Sequence, residues 1–121
     1  MLSSYMIDSN KIAVDYDGTI TNDDGTLNKD AEKYLHYIDL LGFDMFLYTA
    51  RKGVRYSEAV INIVQWQLPV RIPDPQELSG KPTCIFYIDD RATVGGVIDW
   101  KSLYEYLIEV KKQIELIKEK S

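Results

Sequence analysis

Three short, largely apolar runs in this chain each stop at a polar residue. Ile12-Ala13-Val14 stops at Asp15, Phe43 to Tyr48 stops at Thr49, and Thr83 to Ile88 stops at Asp89. Independent core strands have no reason to share that ending. The stretches between them carry helical periodicity, so strands alternate with helices. Such alternation means an open, mostly parallel sheet covered on both faces, a three-layer α/β/α Rossmann-like arrangement. In such sheets ligands sit beyond the carboxyl ends of the strands, where strand order reverses. The three polar endings therefore mark one edge of the sheet as the candidate site.

The first run is the most informative. Lys11 to Thr21 reads K-I-A-V-D-Y-D-G-T-I-T. It has no polar alternation before Asp15, as expected of a buried parallel strand. Strand alternation predicts Asp15 and Asp17 on one side, with Tyr16 opposite. Two carboxylates at the end of a buried strand are costly unless something neutralises them. Gly18 lets the backbone turn sharply and lets a ligand approach it closely. One acid that reacts, a second that moves protons and a cation offsetting both charges would account for the pattern. A calcium-binding EF-hand does not, because counting from Asp15 puts Ile20 where that loop needs glycine and Thr26 where it needs glutamate.

The 121 residues suffice for one core, so residues 1–121 read as a single domain. Fourteen basic against nineteen acidic residues give a net charge of −5. That balance disfavours non-specific binding to nucleic acid or anionic membrane without excluding a local basic patch. The single Cys84 rules out an internal disulfide and fits a reducing cytoplasm; its apolar run marks it as a core residue. No signal peptide is evident at the N-terminus, and no apolar run reaches membrane-spanning length.

After the motif, Asn22 to Thr26 is a polar turn, and Asn28 is the expected N-cap of a helix running to about Leu41, stopped by Gly42. Its core stripe is Ala31, Leu35, Ile38 and Leu41. A second helix is expected from about Ser57 to Gln67, with Val60, Ile61 and Val64 buried. All four prolines fall between Pro69 and Pro82, which leaves room only for a short edge strand near Val70 to Ile72. After Gly95-Gly96 comes a brief Val97-Ile98 run. The last helix covers about Lys101 to Lys120, with Leu103, Tyr104, Leu107, Val110, Ile114 and Ile117 at helical spacing.

Asp15-x-Asp17-Gly18-Thr19, Thr49-Ala50-Arg51, Lys81-Pro82 and Asp89-Asp90-Arg91, in that order, resemble the four motifs of the haloacid dehalogenase superfamily. The likeness is closest to its small bacterial and phage hydrolases, and Asp17 points to the phosphatase branch, since the dehalogenases lack that aspartate. Gly18 to Tyr48 and Ala50 to Gly80 span 31 residues each, too few for a helix, a strand and a cap domain. The resemblance is thus to the capless class.

What it implies is a Mg²⁺-dependent phosphomonoester hydrolase. Asp15 attacks phosphorus and forms an aspartyl phosphate; Asp17 protonates the leaving oxygen and later takes a proton from the attacking water. The metal set is Asp15 and Asp89 with the main-chain carbonyl of Asp17, and Asp90 acts through a water or orients Lys81. Thr49, Lys81 and backbone N–H groups near Gly18, Thr19 and Ala50 hold the phosphate. Arg51, Lys52 and Arg55 are candidates for a substrate rim, or else they balance the carboxylates. Without a cap the site admits bulky phosphorylated substrates. Two other readings stay open: a phosphatase acting on nucleic-acid 3′ ends, and an idle copy of the fold that only binds phosphate or docks a partner. Oligomeric state is not legible.

Overall fold

The structure, a computed structural model, describes residues 10–78, 84–89, 93–94 and 97–120, so the expectations for Lys81 and Asp90 lie outside the described residues. Strand β1 (Lys11–Val14) lies at the centre of a three-stranded parallel sheet, between β2 (Asp44–Leu47) and β3 (Phe86–Ile88). The order β2-β1-β3 places the reversal of strand order between β1 and β3, the crevice where open α/β sheets take their ligands. The fold is thus α/β with a small parallel sheet.

Helix α1 (Lys29–Leu40) joins β1 to β2. Asn28 caps it, its side-chain oxygen accepting from the N–H groups of Asp30 and Ala31, and Gly42 leaves it at φ +96°, a left-handed turn that favours glycine. Ala31, Leu35 and Ile38 are fully buried, as their spacing predicts. Helix α3 (Trp100–Glu119) packs on α1 and buries Leu103, Leu107, Val110 and Ile114, with Asp99 capping its start. A two-stranded antiparallel ribbon, β4 (Thr93–Val94) with β5 (Val97–Ile98), precedes it.

Helix α2 (Val54–Gln65) corrects the sequence expectation in two respects. It begins three residues before Ser57, because Gly53 at φ +62° turns the chain directly into it. It also buries Ala59 and Ile63 instead of Ile61 and Val64, which are 53% and 64% exposed, and Val60 is only partly covered. Apolar residues stand on several faces of α2, so periodicity alone cannot choose the packed one. Cys84 is part-buried, less enclosed than expected. The buried residues of all three helices join one core with Ile12 and Val14 of β1, Met45 and Leu47 of β2 and Ile88 of β3. Among the described residues no helix is long and apolar enough to cross a membrane.

The proline-rich stretch holds the expected edge pairing as one parallel bridge, Phe46 to Arg71, with the Leu47 N–H donating to the Arg71 carbonyl at 2.9 Å. The Arg71 guanidinium then ties that edge down, donating to Asp44 (3.1 and 3.0 Å) and Glu77 (2.6 and 2.9 Å). The Glu77 carboxyl is pulled down to about 2, chiefly by its hydrogen bond from Arg71. A depressed carboxyl stabilises the fold above its unfolded value and loses that contribution as pH falls through the folded one. Arg71→Gln is therefore expected to lower Tm at pH 6, with the gap to wild type closing between about pH 4.5 and pH 2. Thermal unfolding across that range checks it, and a gap independent of pH would assign the loss to packing.

Candidate active site

The ladder does not end with the strands. The Tyr48 N–H donates to the Val14 carbonyl at 2.8 Å and the Asp15 N–H to the Ile88 carbonyl at 2.9 Å. These bonds carry the pairing to Asp15, Tyr48 and Asp89 and fix the three strand ends at one level. Side chains alternate along each strand, and paired residues share a face, so Asp15, Tyr48 and Asp89 emerge together, one step beyond Ala13 and Tyr87. A cavity of about 340 Å³ opens there, lined by Ala13, Asp15, Tyr48, Thr49, Ala50, Tyr87, Ile88 and Asp89.

Thr49 enters this cavity with its hydroxyl oxygen accepting from the Arg51 N–H at 3.2 Å. A hydroxyl carries one donor and two acceptor positions, so that bond leaves its hydrogen for an anion. The Asp15 carboxylate is oriented by the Tyr16 N–H, 2.7 Å from Oδ1. Two carboxylates on neighbouring strand ends form an oxygen donor set that fits a hard divalent ion such as Mg²⁺. That ion keeps several waters and needs only one or two carboxylates. Among the described residues no group of three or more His, Cys, Asp or Glu gathers around a metal position.

Asp17 is elsewhere. Strand β1 stops at Val14 and the chain turns through Gly18 at φ +71°, so strand alternation no longer governs where Asp17 points. Its carboxylate meets Arg51 in a two-pronged contact, Nε to Oδ2 and Nη2 to Oδ1, both 2.7 Å. This hydrogen bond holds the Asp17 carboxyl below the usual carboxylate range, the nearby positive charges of Arg51 and Arg55 adding to it against a smaller effect of burial. Arg51 is itself held in place. Its guanidinium stands 4.8 Å over the Tyr16 ring and donates to the Arg55 carbonyl at 3.1 Å. Tyr16 is buried, its hydroxyl accepts from Asn62 at 2.8 Å, and its ring lies parallel to Trp66. Of the three rim candidates, Arg51 is thus directed at Asp17, while Lys52 and Arg55 are exposed.

The turn after Asp17 uses its own amides. The Gly18 N–H donates to the Thr21 hydroxyl at 3.4 Å, and the Thr19 N–H to the Tyr16 carbonyl at 3.3 Å. The Thr19 side chain is wholly buried, and its hydroxyl has no hydrogen-bond partner among the described residues. Gly18 lines a separate polar hollow with Asn22, Asp23 and Asp24. The structure therefore gathers Asp15, Thr49, Ala50 and Asp89, and sets Asp17, Gly18 and Thr19 beside them. Sequence reasoning passed over Tyr48 and Tyr87. For Tyr87 the signal was available in parity, since it stands two residues before Asp89; for Tyr48, adjacent to Thr49, parity gave none.

No family model and no curated protein matches the chain. Among solved structures, it is similar to the structure of a conserved protein coded by a locus from Bacteroides thetaiotaomicron. The two are 30% identical, with 82% of this chain and 89% of that one covered, at a TM-score of 0.68.

Proposed function

We propose that this chain, which belongs to the same family as the conserved protein from Bacteroides thetaiotaomicron, is a Mg²⁺-dependent phosphomonoester hydrolase on a capless, three-layer core of the haloacid dehalogenase type. One observation carries the reading: Asp15, Thr49 and Asp89, from three adjacent strand ends, line a single cavity. The order and spacing of the sequence motifs support it independently.

Asp15 is the nucleophile, with its carboxylate oriented by the Tyr16 N–H for attack on phosphorus. The bond to the leaving oxygen breaks as the bond from Asp15 forms, and water later cleaves the aspartyl phosphate. The Thr49 hydroxyl donates to a phosphoryl oxygen. Asp15 and Asp89 would hold Mg²⁺, which supplies positive charge against the phosphoryl oxygens when bound. Asp17 gives a proton to the leaving oxygen and takes one from the attacking water. Paired to Arg51 it stands in the proton-accepting form, so delivering a proton requires that it leave the arginine.

Turnover of p-nitrophenyl phosphate tests this directly. Activity is expected with Mg²⁺, is expected to vanish on chelation, and should return on adding Mg²⁺ back. Ca²⁺ should restore at most a few per cent, because it takes more oxygens at longer distance and draws carboxylates out of line. Failure to turn over any phosphomonoester in Mg²⁺ would refute the reading.

A further inference from the structure

The cavity holds more than the reacting groups require. A phosphoryl group bound at Asp15 and Thr49 fills a minor part of about 340 Å³, a volume within the range of small-molecule pockets. Two aromatic residues, Tyr48 and Tyr87, are among those that line the remainder. Tyr48 and Tyr87 approach with ring centroids 6.0 Å apart at 47°, and Tyr48 is 38% exposed. Tyr48 directly follows β2 and Tyr87 lies in β3, so the two flank the central strand, where Ala13 is paired with Tyr87. A side chain as small as Ala13 lets the two rings meet across the central strand and leaves cavity space beside the pair. A dipeptide step along a strand is about 6.6 Å, so this space lies a few bonds from an ester oxygen at Asp15.

We propose that Tyr48 and Tyr87 form a leaving-group subsite for planar rings. The substrates are then phosphomonoesters whose alcohol carries an aromatic ring or a nucleobase, in preference to purely aliphatic or sugar phosphates. The assignment rests on the phosphatase reading above and deepens it. Two phenol rings at an angle offer one face and one edge to a flat guest, an arrangement that favours aromatic over saturated rings of equal size. Base-on-aromatic stacking works by the same physics and tolerates any base.

The test compares substrates of matched leaving-group chemistry. Benzyl phosphate against cyclohexylmethyl phosphate isolates the flat ring, and adenosine 5′-monophosphate against ribose 5-phosphate isolates the base. In each pair kcat/KM is expected to favour the ring by about fivefold or more, in line with the strength of aromatic contacts. Preference in the first pair alone identifies an aryl substrate, and in the second alone a nucleotide. Tyr48→Leu should bring the favoured ratio close to one, and Tyr48→Phe should keep it. Ratios near one in both pairs for the wild type, or a ratio that survives Tyr48→Leu, would overturn the subsite. Calorimetric binding of benzylphosphonate and cyclohexylmethylphosphonate gives the same comparison without turnover. An enzyme inactive on every ester that still binds the flat ring more tightly would sink the phosphatase reading and keep the subsite. Equal Kd values would sink the subsite alone.

Discussion

Asp15→Asn is expected to remove turnover, by roughly 10⁴-fold or more, while the protein stays folded. The two halves of that expectation come from different atoms. The Tyr16 N–H needs an oxygen at Oδ1, and asparagine still supplies one, so the local hydrogen bond at 2.7 Å survives. The chemistry needs a carboxylate that can attack phosphorus, and an amide cannot. Unfolding should therefore occur within a few degrees of wild type, with no burst of aspartyl phosphate in single turnover. Activity near wild type would remove Asp15 as nucleophile. A large fall in Tm would show that the loss was structural.

Asp17→Asn should discriminate between substrates. With a poor leaving group such as benzyl alcohol, losing the proton donor is expected to cost roughly 10²- to 10⁴-fold in kcat. With p-nitrophenolate, which leaves without help, the loss in the first step should be under about tenfold. Equal losses on both would argue against Asp17 as the general acid. The substitution also breaks one prong of the Arg51 contact, because an amide presents only one acceptor oxygen. The pair's stabilisation has a clear sign with pH. Asp17 titrates below its ordinary value, so the stabilisation is complete above the normal carboxylate range and fades as pH falls through the lowered one. Wild type and Asp17→Asn should accordingly converge in Tm in acid.

How much of this was legible before the fold was known depends on how local the cause is. The strand endings were legible because a buried parallel strand stays apolar until it reaches the ligand edge, and Asp15, Thr49 and Asp89 break the pattern there. The cap at Asn28 and the exit at Gly42 were legible because both act within one turn. Helix α2 was not, since Val54, Val60, Ile61 and Val64 compete with Ala59 and Ile63 for the packed face, and only the neighbouring elements decide. The engagement of Asp17 by Arg51 was hidden for a related reason. It joins residues 34 positions apart, and it depends on a turn that ends the strand before the second carboxylate. The two-residue strands of the ribbon are too short for any periodic signal.

The parallel packing of Trp66 on Tyr16 has an optical consequence. Their rings lie within 6° of parallel at 6.4 Å, and the same tyrosine carries the Arg51 guanidinium. The chain has two tryptophans, and the other, Trp100, is buried at the start of α3. In a Trp100→Phe background, Trp66 becomes the single indole emitter, one ring removed from the arginine. Anything that draws the guanidinium off Asp17 changes the charge above Tyr16, and the emission of the adjacent indole changes with it. Opening of the carboxylate–arginine contact can thus be followed by intrinsic fluorescence in stopped flow, without a dye and without waiting for product.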